Sequence, residues 1–333
     1  MRIFITGIAG FLGSHLADRM INLGHDVLGN DTLIGGYEDN VNHKATLYKV
    51  DCCNRERMAD IMKNVDVVIH TAATAHEGLS VVSPDFITKN VFQATVSTIS
   101  AALENKVRRF VYCSSMARYG NQQTPFTEDM KPMPVDPYGI AKVAGEDTLR
   151  MLSDTHGMEW NIAVPHNIVG PRQRYDDPFR NVMSIMINRN LQGKPAIIYG
   201  DGLQTRCFSY VDDCIQCLEK LILDNDIVGQ IINIGPDEGT ITVKDLANLI
   251  ANKTGCNLQP IHVDDRPQEV KHATCSADKA RQVLNYKTTT DLETAVERTI
   301  DYIKKRGTKP FDYTFPLEIV NSKTPRTWKE RLI

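Results

Sequence analysis

Tyr138 and Lys142 stand four residues apart in Pro137-Tyr138-Gly139-Ile140-Ala141-Lys142, a segment that opens a helix running through Leu152. At that spacing both side chains leave the same helix face. An ammonium group beside a phenol lowers the phenol pKa, and a phenol so biased can act as a general acid or base. Tyrosine followed one turn later by lysine is also common surface decoration, so the pair gains meaning from its company. Upstream, Ser114-Ser115-Met116-Ala117-Arg118-Tyr119-Gly120 leaves the carboxyl end of an apolar strand, Arg109–Ser114.

A second group of residues opens the chain. Gly7, Gly10 and Gly13 follow the β-branched run Ile3-Phe4-Ile5-Thr6 and precede a helical pattern through Leu16, Met20 and Ile21. In a strand–turn–helix setting, such glycines permit a tight turn and close backbone approach. The helix N-terminus then offers N–H groups to a pyrophosphate. The spacing is G-x-x-G-x-x-G rather than the dehydrogenase-type G-x-G-x-x-G. Asp31 ends the second strand, His25–Asp31, 18 residues past Gly13. An acid at about that distance hydrogen-bonds a ribose diol and repels an extra phosphate, which favours NAD over NADP. The plainer readings are an ordinary glycine turn and a turn aspartate.

The elements that hold these groups alternate. Strands are expected at Arg2–Thr6, His25–Asp31, Thr46–Val50, Val65–His70 and Arg109–Ser114, with a long helix over Asp85–Asn105. The pattern predicts an α/β fold of the Rossmann type, a doubly wound parallel sheet whose ligand lies at the carboxyl ends of the strands. Gly7, Asp31, Asp51, Ala72 and Ser114 fall there, and Thr71-Ala72-Ala73 are small enough for a ligand to approach closely.

Length and composition bound the rest. The 333 residues suit about two domains, or one domain with a lobe. A net charge of −3 without a basic run argues against nucleic acid. No apolar run approaches the roughly 18 residues of a membrane span, and a strand from residue 2 leaves no room for a leader, so the expectation is a cytoplasmic protein. Of eight cysteines only Cys214 and Cys217 have metal-like spacing. They share one face of an amphipathic helix and read as buried thiols, with no metal expected.

Together Thr6-Gly7-x-x-Gly10-x-x-Gly13, Asp31, the Ser114–Gly120 strip and Tyr138-x-x-x-Lys142 resemble the extended short-chain dehydrogenase/reductase family. Its nucleotide-sugar branch includes the UDP-galactose 4-epimerases. The resemblance continues through Asn167-Ile168-Val169-Gly170-Pro171-Arg172, Tyr199-Gly200-Asp201-Gly202-x-Gln204-x-Arg206, Ile232-Asn233-Ile234-Gly235 and Arg266-Pro267-Gln268-Glu269-Val270, covering about residues 1–305.

The resemblance implies catalysis by Ser115, Tyr138 and Lys142, with Tyr138 as acid/base. It implies NAD held by Gly7, Gly10, Phe11, Leu12, Gly13, Asp31, Asp51, Cys52, Thr71, Ala72, Ala73, Asn90, Tyr138, Lys142 and Pro165. It places a UDP-sugar against Ser115, Met116, Asn167, Arg206, Arg266, Glu269 and Ala273. Related dehydratases and decarboxylases carry acids where this chain has Met116-Ala117, which favours 4-epimerisation over dehydration. A dehydratase or reductase on a similar substrate is the alternative, and a non-catalytic NAD-binding protein the remote one. His166 is either packed at a strand end or an extra acid/base. A small Ala273 at the position that gates N-acetyl sugars implies that UDP-GlcNAc and UDP-GalNAc are accepted as well as UDP-Glc and UDP-Gal. Arg206-Cys207-Phe208 stands where the branch has Arg-Asp-Phe, which puts the holding of Arg206 in question.

By the same resemblance, residues 1–165 form the NAD-binding domain, with a strand returning near 231–234. Residues 166–306 form mainly a smaller α/β substrate lobe. A homodimer is expected through a four-helix bundle of the helices near Asp85–Asn105 and Tyr138–Leu152. The apolar tail 307–333 is expected to pack on the body or on the partner subunit, with Thr324-Pro325 capping a short last helix.

Overall fold

In the computed structural model, which describes all 333 residues, seven parallel strands form one sheet. They are β1 (Arg2–Thr6), β2 (Asp26–Asn30), β3 (Thr46–Tyr48), β4 (Val67–His70), β5 (Arg109–Cys113), β6 (Glu159–Pro165) and the returning strand Gln230–Ile234. From one edge the order is Gln230–Ile234, β6, β5, β4, β1, β2, β3. The order reverses between β1 and β4, and a crevice opens at such a reversal beyond the carboxyl ends of the strands. Near-continuous apolar strands such as Ile3-Phe4-Ile5 are fully buried, as a sheet covered on both faces requires.

The helices that matter to the site are α1 (Phe11–Asn22), α2 (Arg55–Ile61), α3 (Glu77–Ser80), α4 (Pro84–Thr88), α5 (Ala94–Glu104) and α6 (Pro137–His156). One core joins α1 and helix Val211–Leu223 to one face of the sheet, and a second core lies under α2 and α5 on the other. Cys214 and Cys217 are both buried in the first core.

The helix expected over Asp85–Asn105 is broken differently. Between α4 and α5 the chain makes a π-helical turn over Lys89–Gln93, which carries Asn90. π-helical turns inside helices often mark functional sites. Strands β2 and β3 stop short of their expected ends at Asn30 and Tyr48, so Asp31 lies in the loop beyond. Helix Leu292–Arg306 was not expected from the sequence; it buries Ala295, Val296, Thr299, Ile300 and Ile303.

Beyond β6 the smaller lobe is held by short pairings. Thr205–Arg206 runs between Ile241–Thr242 and His272–Ala273, and Ile197–Tyr199 pairs with Ile261–Val263. The tail packs on the body: Phe315 and Trp328 are buried in a third cluster with Leu79, Phe179 and Tyr138. Its last helix, Arg326–Lys329, follows directly on Pro325, which stands at the N-cap without a side-chain cap bond, while the Thr324 hydroxyl donates to the Ile319 carbonyl instead of capping the helix. No helix is long and apolar enough to cross a membrane.

Candidate active site

One cleft runs from the glycine loop, past the start of α6, to the substrate lobe. At its first end Gly7 adopts φ +68°, and a Cβ there would meet the Ala72 backbone at 3.0 Å. A Cβ on Gly13 would stand 2.2 Å from the Gly7 carbonyl oxygen, so α1 can dock on the loop only with glycine at this position. These absences leave a concave backbone cradle below the α1 N-terminus, suited to a pyrophosphate. Asp31 fixes the loop: one carboxylate oxygen accepts from Ala9 N–H at 2.9 Å, the other from Leu33 N–H at 2.7 Å. Burial pushes the Asp31 carboxyl up, and these backbone donors oppose it.

Phe11, Leu12, Asp51, Cys52, Thr71, Ala72, Ala73, Asn90 and Pro165 line the same end. Behind it the buried His70 ring bridges Thr6 Oγ1 at 2.8 Å and Thr95 Oγ1 at 3.0 Å. The Thr71 hydroxyl donates to the Thr6 carbonyl at 2.6 Å, tying β1 to β4 at the switch point.

Ser115, Tyr138 and Lys142 meet on the cleft wall. Asp136 caps α6 by accepting from Gly139 N–H at 2.9 Å, with Pro137 in the first turn, so the helix begins one residue before Tyr138. The serine strip is bolted to α6 from behind. Ser114 Oγ donates to Glu146, and Arg118 Nη2 lies 3.0 Å from the same buried carboxylate. Lys142 Nζ donates to the Cys113 carbonyl at 2.7 Å and lies 4.9 Å from the centre of the Tyr112 ring. Burial pushes its ammonium down to about 8. The Tyr138 phenol is pushed well up, first by burial and then by the carboxylate of Glu77, while the Ser115 hydroxyl and Arg180 pull the other way. Burial thus favours the neutral phenol of Tyr138.

Farther along, Arg206 donates to the carbonyls of Thr205 (2.8 Å), Lys271 (3.2 Å) and Val270 (2.7 Å). These three carbonyls hold Arg206 without the acid that Cys207 replaces. Cys207 is itself buried, with its thiol on the Glu238 carbonyl. Arg266 Nη2 donates to Glu269 Oε1 at 2.8 Å, and its guanidinium lies 4.7 Å from the centre of the Tyr199 ring. Both arginines, Asn167 and Glu269 line the cleft.

Two expected substrate contacts lie behind the wall. Met116 is buried, its sulfur 3.8 Å from Asn167 Nδ2. Ala273 is buried in register with Arg206 on the neighbouring strand. His166 is also buried, its Nε2 donating to the Pro236 carbonyl at 2.9 Å, and it packs under Gly235 away from the cleft.

The cleft also presents residues that sequence reasoning missed: Glu77, Arg180 and Ile333. None lies in a periodic pattern, and each comes from a loop, a short helix or the tail. His76, hydrogen-bonded to Asp177 at 2.8 Å, joins the loop after β4 to the loop that carries Arg180.

The sequence matches the NAD dependent epimerase/dehydratase family over residues 3–235. It is 31% identical to the UDP-glucose 4-epimerase of Mycolicibacterium smegmatis over 318 residues, 92% of this chain and 100% of that protein. Among solved structures, the UDP-glucose 4-epimerase of Thermotoga maritima with UDP-glucose superposes with a TM-score of 0.87 at 29% identity, covering 92% of this chain and 99% of that one. The UDP-glucuronic acid 4-epimerase of Bacillus cereus, in complex with UDP-glucuronic acid and NAD, gives 0.85 at 30% identity, covering 92% and 100%.

Proposed function

The chain belongs to the NAD dependent epimerase/dehydratase family, and from that premise we propose that it interconverts the C4 epimers of a UDP-sugar. The observation that carries this reading is the meeting of Ser115, Tyr138 and Lys142 on one wall, between the glycine cradle and the two arginines. The cradle suits NAD: the Gly7–Gly13 backbone would hold its pyrophosphate, Asp31 its adenosine ribose, and Lys142 its second ribose. When bound, it accepts and returns the hydride at C4.

The protein's own groups account for the rest. Arg206 and Arg266 hold the diphosphate with cations that do not titrate. Tyr138 takes the proton of the 4-hydroxyl and later returns it, and Ser115 donates to the oxygen at C4 while it is a carbonyl. Because the sugar is anchored through its diphosphate, the 4-keto ring can turn over and present its other face. Met116 and Ala117 supply no acid for removing water, which speaks against a dehydratase.

Proton NMR of the purified protein with UDP-Glc, UDP-GlcNAc and UDP-GlcA, without added NAD, tests the reading. Interconversion at C4 is expected. Loss of water or a stoichiometric yield of NADH would identify a dehydratase or a reductase instead.

The reading extends to a homodimer built on α6 and the α4–α5 helix. It is supported by Ile140 and Met151, 56% and 58% exposed on one face of α6. Light scattering should give a dimer, and Ile140→Asp with Met151→Asp a monomer.

A further inference from the structure

We propose that Glu77 faces the sugar ring of the bound nucleotide sugar, accepts hydrogen bonds from its hydroxyl or amide groups, and excludes hexuronic acids. This chain would then act on a neutral hexose or acetamido-hexose. The inference rests on the 4-epimerase reading and narrows its substrate.

Four acids line the cleft: Asp31, Asp51, Glu77 and Glu269. Three are engaged by the protein. Asp31 accepts from Ala9 and Leu33, Asp51 from Cys53 N–H at 2.8 Å, and Glu269 from Arg266. The Glu77 carboxylate accepts from no protein donor, and its residue is exposed toward the cleft. The charges of Arg206 and Arg266 reach Glu77 at longer range, but neither guanidinium forms an ion pair or hydrogen bond with it.

The short helix that carries Glu77 is held in place on both sides. Ser80 Oγ, at the far end of α3, lies 3.3 Å from Asp136 Oδ1, the atom that caps α6. Gly78 lies under the tail, since a Cβ there would stand 3.1 Å from Trp328 Cη2 and 3.7 Å from Arg266 Nη1. Thus α3 spans the gap between the start of α6 and Arg266. A sugar with its diphosphate on Arg206 and Arg266 and its C4 at Tyr138 occupies that gap. Hydroxyl and amide N–H groups can donate to Glu77 there, whereas a second carboxylate at C6 would add like charge in a partly desolvated site.

Although Glu77 is open to the cleft, the protein walls around its carboxyl limit its hydration and, with the neighbouring Asp136, push it up to about 7, while Arg206 and Arg266 pull the other way. The groups facing it are Asp136 and Tyr138 from α6, Arg206 from its strand, and Arg266 and Glu269 from the loop beyond. Below pH 7 the group is mainly protonated, so rejection of a uronate should weaken there and strengthen above.

The test compares kcat/KM for UDP-Glc, UDP-GlcNAc and UDP-GlcA in the wild type and Glu77→Gln at pH 6 and 8.5. Calorimetry measures Kd for the same sugars in Tyr138→Phe with and without Glu77→Gln. At pH 8.5 the wild type is expected to prefer a neutral sugar by about a hundredfold or more. Glu77→Gln should cut that preference by about tenfold, the equivalent of about 1.4 kcal/mol, and flatten its pH dependence. Equal use of UDP-GlcA by the wild type would overturn the proposal. So would a preference unchanged within about twofold in a Glu77→Gln protein of normal melting temperature. If no sugar is epimerised, the 4-epimerase reading fails, and the Kd ratios still decide the role of Glu77 by the same criterion.

Discussion

Lys142 Nζ lies 5.8 Å from the centre of the Tyr138 ring and gives its hydrogen bond to the main chain, at Cys113, rather than to the phenol. On the proposed reading the lysine acts on Tyr138 through charge across this gap. That charge is itself marginal, because burial holds Lys142 near 8.

A pH limb follows from that value. Lys142 loses its proton as pH rises through about 8, so kcat/KM of the holoenzyme should fall above that pH. In Lys142→Arg, whose cation does not titrate, the limb should disappear below pH 10, whatever the absolute rate. Tyr138→Phe should lose about 10²- to 10⁴-fold in kcat at every pH while retaining NAD. Initial rates from pH 6 to 10 check both.

His70 gives a stability prediction of defined sign. Burial pushes its imidazole down to about 3 from an ordinary 6.5, because the ring sits dry between Thr6 and Thr95. Between those values the unfolded chain binds a proton that the folded chain does not. The contribution is therefore complete above pH 6.5 and is lost as pH falls toward 3, by at most about 5 kcal/mol. Urea unfolding at pH 7 and pH 4.5 should show a smaller loss on acidification in His70→Asn than in the wild type.

The legible parts of this site are those fixed by local backbone demands. Gly7 and Gly13 could be read because a side chain there would strike the loop or the Ala72 backbone. Tyr138 and Lys142 could be read because helical spacing alone puts them on one face. Glu77 could not: its four-residue helix has no periodicity, and its neighbours Asp136, Arg206 and Arg266 come from three distant segments. The π-turn at Lys89–Gln93 was hidden because Asp85–Asn105 keeps a helical apolar pattern through it. The burial of Ala273 was hidden for a related reason: its place behind Arg206 depends on pairing with Thr205–Arg206, which its sequence neighbours do not reveal.

That pairing has a consequence. Ala273 is 5% exposed beside Arg206, so Ala273→Tyr should overpack the strand instead of trimming a sugar pocket. The expected result is a loss of about 1–3 kcal/mol in stability and a higher KM for UDP-Glc and UDP-GlcNAc alike. A selective loss of UDP-GlcNAc would instead return Ala273 to the role of a gate.

The tail beyond Lys309 ties the two halves of the molecule together. Glu318 caps α4 by accepting from Asp85 N–H at 3.0 Å and Phe86 N–H at 2.8 Å, and Ser83 Oγ donates to the Pro316 carbonyl. Thr327 then reaches the lobe, its hydroxyl 2.7 Å from Tyr199 Oη, while Trp328 is buried against Gly78 and Phe179. Truncating a buried tryptophan costs about 3–5 kcal/mol, so Trp328→Ala should lower the melting temperature by about 10 °C. Deletion of residues 310–333 should lower it further. The glycine cradle is remote from these contacts, so folded Trp328→Ala should keep NAD but show a raised KM, because α3 and Tyr199 lose their brace. Unchanged melting after the deletion would show that the strap adds nothing to the fold. An unchanged KM in Trp328→Ala would separate the tail from the substrate site.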